Sequence, residues 1–131
     1  MLGTAARTDM ALRRPSPREL GRWGERMAAA HLRGLGLSVL GRNWSCREGE
    51  LDLLATDGRI VVVCEVKTRS GRGFGPPEAS VTWTKSRRIR RLARLWLRAQ
   101  GLGWCRLRFD VISIESARGT RPRLRHIEGA F

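Results

Sequence analysis

The spacing of apolar residues along the chain predicts two amphipathic helices that flank a group of strands. The first helix is predicted over residues 16–35. It begins at Ser16, a good capping residue, followed by Pro17 at the first helical position and Glu19 where a capping box needs it. Gly36 ends it. The main apolar stripe of this helix is predicted to be Leu20, Trp23, Met27 and Ala30.

The strands are predicted from short apolar or alternating runs. Asp57-Gly58 lies between two such runs and predicts a two-residue hairpin turn. Residues 70–80 are rich in Gly and Pro and predict a loop, and residues 84–99 predict the second helix, which ends at Gly101. The predicted strands are residues 37–42, 50–56, 59–69, 105–116 and, as an optional short last strand, 124–127.

This order of elements, α-β-β-β-α-β with an optional last strand, indicates an α/β fold with a mixed central sheet flanked by helices. A chain of 131 residues suits one domain. We assign residues 16–131 to that domain. Residues 1–15 are small, polar and basic without a period, and we interpret them as a flexible basic tail.

The predicted hairpin concentrates charge. A two-residue turn would place Thr56 opposite Arg59 and Glu50 opposite Glu65, with Asp52 diagonal to Glu65. Opposed residues and residues two apart share a face, so one face carries Glu50, Asp52, Glu65 and Lys67. The other face is predicted to be uniformly apolar, with Leu51, Leu53, Ala55, Ile60, Val62, Cys64 and Val66.

Three carboxylates this close repel one another unless a cation joins them. Oxygen-only ligands suit Mg²⁺ or Mn²⁺, and a metal beside Lys67 could hydrolyse a phosphodiester bond. The alternative is a solvated strand face on which Glu48 and Glu50 pair with Lys67. Val61 and Val63 share the charged face, which indicates that a helix covers it and favours a functional cluster.

The charge composition of the chain indicates which kind of partner it binds. The chain has 26 Lys+Arg against 12 Asp+Glu, a net charge of +14, and its only two lysines are Lys67 and Lys85. A coding bias toward Arg explains the scarcity of Lys but not the sign of the charge, which favours nucleic acid over an anionic membrane surface. No apolar run approaches the roughly 20 residues that span a bilayer. The three cysteines form no C-x-x-C pair and resemble reduced thiols, so with no visible signal peptide we expect a cytoplasmic protein without zinc.

The second helix separates its charges. On a helical wheel Lys85 falls in line with Ile89, Leu92 and Trp96, so it is expected to point toward the sheet. The opposite side forms what we call the arginine face: Arg87, Arg90, Arg91, Arg94 and Arg98. We interpret it as a surface that follows phosphates. The alternative is an ordinary solvated helix face, which normally mixes the signs of its charges.

Other residues leave alternatives open. Arg69 and Arg72 follow the third strand and could clamp a substrate phosphate or be ordinary loop charges. Trp44, Trp83 and Trp104 fall at loops or element ends, where an indole could stack on a base, but packing is the preferred assignment.

Three polar residues have no assigned chemistry at this stage. His31 is expected to be packed or partly exposed rather than catalytic. His126 has no visible partner, and Asp110 is either structural or a support for the site.

Several motifs follow one another along the chain: Gly21-x-x-Gly24-Glu25-x-x-Ala28, Arg42-Asn43, Gly49-Glu50-Leu51-Asp52-Leu53-Leu54-Ala55, Glu65-Val66-Lys67-Thr68-Arg69, Phe74-Gly75, Lys85 and Arg108-Phe109-Asp110-Val111. In this order they resemble the YraN-like family of small bacterial proteins, whose biochemical function is not settled. The resemblance covers about residues 18–115. The family is similar in turn to the restriction-endonuclease-like, PD-(D/E)xK superfamily and, within it, to archaeal Holliday-junction resolvases.

The resemblance implies roles for site residues. Asp52 and Glu65 would be metal ligands, with Glu25 as an accessory ligand, and Lys67 would be the lysine of the E-x-K element. Lys85 would match a supplementary position on the following helix. Leu51 stands where the superfamily often has Pro, and the role of Glu50 stays open. The helical wheel places Glu25 off the main stripe, on a second face of small residues.

We therefore expect a nucleic-acid-binding protein that acts as a Mg²⁺- or Mn²⁺-dependent endonuclease on DNA, with branched and junction DNA among its candidate substrates. The alternative is a catalytically silent DNA- or RNA-binding accessory protein that retains the nuclease fold. A membrane-surface or ribosome-associated basic protein is a third, weaker option. A homodimer is expected only by analogy with resolvases. The candidate catalytic residues are Glu25, Glu50, Asp52, Glu65, Lys67 and Lys85.

Overall fold

The computed structural model describes residues 15–71, 73–117 and 119–131. Most of the predicted tail and Arg72 lie outside these residues. The elements are α1 (Pro17–Gly34), β1 (Ser38–Cys46), β2 (Gly49–Thr56), β3 (Ile60–Ser70), a short 3-10 helix (Pro77–Ser80), α2 (Trp83–Ala99), β4 (Arg106–Ser116) and β5 (Arg123–Ile127).

The strands form one five-stranded sheet in the order β1-β2-β3-β4-β5. Neighbouring strands are antiparallel except β3 and β4, which are parallel and are connected through α2. This mixed sheet confirms the predicted α/β class and the predicted order of elements, including the short last strand. The first strand is longer than predicted, because it continues through residues 43–46 to pair with β2.

The β2–β3 turn differs from the prediction. Thr56 pairs with Val61 and Leu53 with Cys64, so the register is two residues away from that of a two-residue turn. Asp57 explains the longer turn, since its Oδ1 accepts hydrogen bonds from the backbone N–H groups of Arg59 (2.8 Å) and Ile60 (3.0 Å). A shift of two preserves which residues of each strand share a face.

The two helices cover opposite faces of the sheet. On the α1 side, Leu53, Ala55 and Cys64 pack in one buried cluster. On the α2 side, Leu54 and Val63 pack in another, which confirms that a helix covers the face carrying Val61 and Val63. Thr82 caps α2, with its hydroxyl accepting from the N–H of Lys85 (3.1 Å).

The uniformly apolar second face of the hairpin was predicted to include Leu51, and this was wrong. Leu51 packs on the α2 side with Leu54, whereas Leu53 packs on the α1 side. The strict alternation of β2 therefore breaks between Leu51 and Leu53. Asp52 lies at that break, just where the pairing of β2 with β3 stops.

The packing face of α1 matches the predicted stripe only in part, since Trp23 and Met27 pack against the buried cluster on this side of the sheet. The buried residues of α1 are Gly24, Ala28, Ala29 and Leu32, whereas Ala30 is exposed. A Cβ atom on Gly24 would overlap the side chain of Thr68 on β3, so only glycine permits this approach. The second face of small residues is therefore the one that packs on the sheet. Glu25 is next to Gly24 in the helix and so lies close to the sheet.

Among the helices of the described residues, none combines the length and the apolar character needed to cross a membrane.

Candidate metal centre and nucleic-acid interface

Strands β2 and β3 separate at the end of their paired segment and leave a fork. The last registered pair is Leu53 with Cys64. Beyond it, Oδ2 of Asp52 accepts a hydrogen bond from the backbone N–H of Val66 at 2.9 Å. The carboxylate thus takes the place that a strand carbonyl would occupy in a continued ladder. This bond holds Asp52 at the mouth of the fork.

Three carboxylates converge at the fork. One oxygen from each of Glu25, Glu50 and Asp52 lies within 4.8 Å of the others. Glu25 comes from α1, next to the close contact at Gly24, and is half-buried, as is Asp52, whereas Glu50 is exposed. Ligands around Mg²⁺ sit at about 2.0–2.1 Å, so a modest contraction of these side chains brings them to bonding distance. The oxygen-only donor set therefore fits a hard divalent cation.

Glu65 approaches the fork from the other helix. Its Oε1 lies 2.6 Å from Nζ of Lys85, on the first turn of α2. Its carboxyl group also forms a hydrogen bond with that of Asp52. Lys85 points toward the sheet, as the helical wheel predicted. In place of the single charged face that was predicted, the carboxylates reach the fork from both faces of the sheet.

The predicted ligand set was Asp52, Glu65 and Glu25. The structure brings Asp52 together with Glu25 and, through a separate contact, with Glu65. The compact set of three contains Glu50 instead of Glu65. Glu50, whose role the sequence left open, is thus placed among the candidate metal ligands.

The environment of Asp52 favours its neutral form. Burial, and after it the negative charge of Glu65, raises the pKa of Asp52 to about 8, although the N–H of Val66 opposes this rise. In the absence of a cation, Asp52 therefore holds a proton at neutral pH and can donate it to the carboxylate of Glu65. A divalent cation would displace that proton and reverse this preference.

Lys67 lies two residues after Glu65 on β3, and its side chain is exposed. Over the described ranges it takes part in no salt bridge. The predicted alternative required Lys67 to pair with Glu48 and Glu50. Glu48 instead lies in the β1–β2 turn, where its Oε1 is 2.5 Å from Nη2 of Arg91. Two features explain this difference: Glu48 lies outside both strands, and the pairing of β2 with β3 stops at Leu53, before it reaches Glu50.

All five side chains of the arginine face are exposed. Some of them have contacts within the protein. The guanidinium of Arg87 lies 4.8 Å from the ring centre of Trp83, and that of Arg90 lies 4.5 Å from the ring centre of Phe109. Arg91 pairs with Glu48, as described above. The face begins one turn after the start of α2, so it is continuous with the end of the helix that carries Lys85.

The loop after β3 carries the other candidate phosphate ligands. The guanidinium of Arg69 lies 4.7 Å from the ring centre of Phe74 and is held beside the loop by this cation–π contact. Arg72 lies outside the described residues.

A buried polar network on the α1 side was not visible in the sequence. Nε2 of His31 lies 3.0 Å from Nδ1 of His126, and Nε2 of His126 lies 2.8 Å from Oδ2 of Asp110. Arg108 donates to both oxygens of Asp110 at 2.9 Å. An ionised Asp110 only accepts, so His126 donates to it and accepts from His31. The two histidines lie 95 residues apart in the chain, and no local pattern joins them.

The titration of this network follows from its contacts. Burial alone would raise the pKa of Asp110, but hydrogen bonds from His126, Arg108 and the N–H of Gly129 outweigh burial and lower it. Burial, with His126 adding a smaller effect, lowers the pKa of His31. These contacts tie α1, β4 and β5 together, so Asp110 is structural, one of the two roles that the sequence left open.

Comparisons with known proteins place the chain in a family. The model of the uncharacterised protein family UPF0102 matches residues 24–114. A UPF0102 protein from Nocardia farcinica is 50% identical over 112 residues, which cover 86% of this chain and 88% of the relative. A UPF0102 protein from Acidothermus cellulolyticus is 47% identical, over 86% of this chain and 92% of the relative. One from Mycolicibacterium smegmatis is 52% identical, over 85% of this chain and 91% of the relative. The match contains the fork residues Glu25, Glu50, Asp52 and Glu65, and the chain belongs to the UPF0102 family, the YraN-like family that its motifs indicated.

Proposed function

We propose that this protein is a metal-dependent endonuclease that hydrolyses phosphodiester bonds in DNA. The observation that carries the proposal is the fork, where Glu25, Glu50 and Asp52 place carboxylate oxygens within 4.8 Å of one another. Mg²⁺ or Mn²⁺ held there would polarise a phosphoryl oxygen and lower the pKa of a bound water.

The residues around the cation have separate tasks. Asp52, Glu25 and Glu50 supply oxygen ligands, and the N–H of Val66 fixes the position of Asp52. Lys67 is exposed two residues after Glu65 on β3, and in this mechanism its ammonium group orients the attacking water or stabilises negative charge that develops on the phosphate. Lys85 is a positioning residue, because its ion pair fixes the carboxylate of Glu65 next to Asp52.

The charge of the molecule supports a nucleic-acid substrate. The arginine face lies on the outward side of α2, the helix whose first turn holds Lys85 at the fork, and it carries five exposed guanidinium groups. A polyanion bound along this face would lie on the same helix that reaches the fork. Each phosphate neutralised by an arginine steepens the dependence of log affinity on log salt concentration by about 0.9.

The test is a cleavage panel. Purified protein is incubated with labelled linear duplex, flap and four-way-junction DNA in Mg²⁺, Mn²⁺ or chelator. We expect metal-dependent cleavage that is lost in Asp52→Ala and Glu65→Ala. Glu78→Ala is the matched control, since Glu78 is an exposed acid on the 3-10 helix, and it should cleave normally. Cleavage that persists in both carboxylate variants would trace to a contaminant and refute the proposal.

The second candidate is a DNA- or RNA-binding protein without turnover. The observation that favours it is the ion pair with Lys85, which occupies Glu65, one of the two principal ligands that the family resemblance implies. This candidate predicts salt-sensitive binding that weakens when Arg90, Arg91 and Arg94 are replaced, with no cleavage of any substrate in either metal. Metal-dependent cleavage that Asp52→Ala abolishes would exclude it.

A further inference from the structure

A groove of about 310 Å³ lies between the second half of α2 and the start of β4. Leu107 and Phe109 of β4 contribute apolar surface to it. Phe109 is 5% exposed, so its ring lies recessed below the surface. This volume is at the small end of the range for ligand pockets and suits a planar group the size of a nucleobase.

Trp104 lines this groove and is 91% exposed. The sequence favoured packing for this residue, and the structure contradicts that assignment, because the segment between α2 and β4 carries the indole outward. Trp residues are highly buried on average in folded proteins. A nearly fully exposed indole beside a recess offers a flat aromatic surface for a stacking partner.

The rest of the rim is cationic. Arg90 and Arg94 reach the groove from α2, and Arg106 reaches it from the first position of β4. No acidic side chain lines the groove within the described residues. The guanidinium of Arg90 already lies over the ring of Phe109 at 4.5 Å, which shows that flat cationic groups stack within this recess. An aromatic wall with three surrounding cations is complementary to a base and its flanking phosphates.

We propose that this groove binds one unpaired base of a nucleic-acid strand, stacked on Trp104, with the neighbouring phosphates held by Arg90, Arg94 and Arg106. The proposal rests on the proposed function and narrows its substrate class to nucleic acids that have a single-stranded segment. A flat anionic membrane does not match the groove as well, since the cations surround a recess of small volume.

The position of the groove relates it to the fork. Arg90 and Arg94 belong to both the groove and the arginine face. Lys85 and Arg94 are separated by about 14 Å along the axis of α2. The unpaired base would therefore lie at least about 14 Å from the fork, toward the other end of α2.

The test measures binding in chelator by fluorescence anisotropy, with labelled oligothymidylate and a blunt duplex of the same length. We expect Trp104→Ala to weaken binding of oligothymidylate about 5- to 150-fold, from the 1–3 kcal/mol that stacking contributes per base. Binding of the blunt duplex, whose bases are already stacked, should be nearly unchanged. Trp83→Ala is the matched control, because Trp83 is 73% exposed at the other end of α2 and outside the groove.

Three outcomes would overturn the proposal. Trp83→Ala could weaken oligothymidylate binding as much as Trp104→Ala does, or Trp104→Ala could weaken binding of the duplex as much as that of the single strand. The third is unchanged oligothymidylate binding in Trp104→Ala, and if that variant also binds phosphatidylglycerol vesicles less tightly, the groove belongs to a membrane surface. Because the chelator removes divalent cations, none of these results depends on cleavage. Trp104-dependent binding without cleavage in the panel above would refute the nuclease proposal alone.

Discussion

Nζ of Lys85 and Oε1 of Glu65 lie 2.6 Å apart and join the first turn of α2 to β3 at the fork. The contact gives the acidic cluster one compensating positive charge. Lys67, the other lysine of the chain, follows Glu65 by two residues on β3, is exposed and forms no salt bridge within the described part of the chain. The two lysines therefore have different tasks, since Lys85 positions a carboxylate while Lys67 remains accessible to a substrate.

Replacement of each lysine by Met should separate these tasks. Lys85→Met should lower the stability of the metal-free protein by about 1 kcal/mol, because it removes a partly exposed ion pair and leaves Glu65 uncompensated. It should also increase the rise in melting temperature caused by Mn²⁺, since Lys85 no longer competes for the carboxylates. Lys67→Met is the matched control and should leave the metal-free melting temperature unchanged. Thermal melts with and without Mn²⁺ measure both effects, and equal losses in the two variants would contradict the assignment.

The raised pKa of Asp52 predicts a pH dependence of stability. The pKa of Asp52 is about 8 in the folded protein and about 4 in the unfolded chain. Asp52 therefore contributes most to the free energy of unfolding below pH 4, and this contribution is lost as pH rises through 8. Asp52→Asn removes the titration, so its stability relative to the wild type should increase with pH, by up to about 1.4 kcal/mol per unit. Urea unfolding from pH 5 to 9 in chelator measures the difference.

Mn²⁺ provides the control for this prediction. Saturating metal should restore the stability of the wild type at high pH, because a cation stabilises the ionised carboxylate. It should have little effect on Asp52→Asn, which offers a neutral amide in its place. Stability curves that stay parallel across the pH range would show that Asp52 keeps an ordinary pKa.

The sequence predicted the meeting of Asp52 and Glu65 even though it predicted the wrong turn. The error in register was two residues, and an even shift leaves the parity of each strand unchanged. Leu51 was misplaced because the alternation of β2 breaks next to Asp52, and no residue type signals such a break. The covering of Val63 by a helix was predicted correctly, because a single apolar pattern decides it.

Residues that meet only through tertiary contacts were beyond prediction. His31 and His126 are brought together by the packing of α1 against the sheet, and neither lies in a motif. The convergence of Glu50 with Glu25 likewise depends on how closely α1 approaches β3. The motif Gly24-Glu25 was visible in the sequence, but the physical reason for its glycine is the side chain of Thr68, 44 positions along the chain.

Gly24→Ala should therefore destabilise the protein and disturb the fork. The added Cβ overlaps the Thr68 side chain, so α1 must shift, with an expected cost of about 1–3 kcal/mol and weaker Mn²⁺ binding through displacement of Glu25. Gly21→Ala is the matched control on the same helix, since nothing lies within 4 Å of its added Cβ. This control should be about 0.5–1 kcal/mol more stable than the wild type, because alanine loses less backbone entropy than glycine when it folds into a helix. Urea unfolding and a Mn²⁺ titration of both variants measure the contrast, and similar values for the two would contradict the close approach of α1.

The last prediction concerns the Asp110 network at acid pH. The lowered pKa of Asp110 means that its contribution to stability is present above about pH 4 and is lost as pH falls through the folded value. Asp110→Asn should cost about 3 kcal/mol at neutral pH, because it breaks a buried ion pair with Arg108. It should also weaken the acid dependence of unfolding.

Glu128→Gln is the matched control for that network. Glu128 is the other acid near Arg108, with Oε2 3.6 Å from Nη1, but its side chain is 60% exposed. Water screens this contact, so the substitution should change stability by less than about 0.5 kcal/mol. Urea unfolding from pH 3 to 7 compares the three proteins. If Asp110→Asn matched Glu128→Gln at neutral pH, the tie between α1, β4 and β5 would contribute no stability, and the assignment of Asp110 as a structural residue would fail.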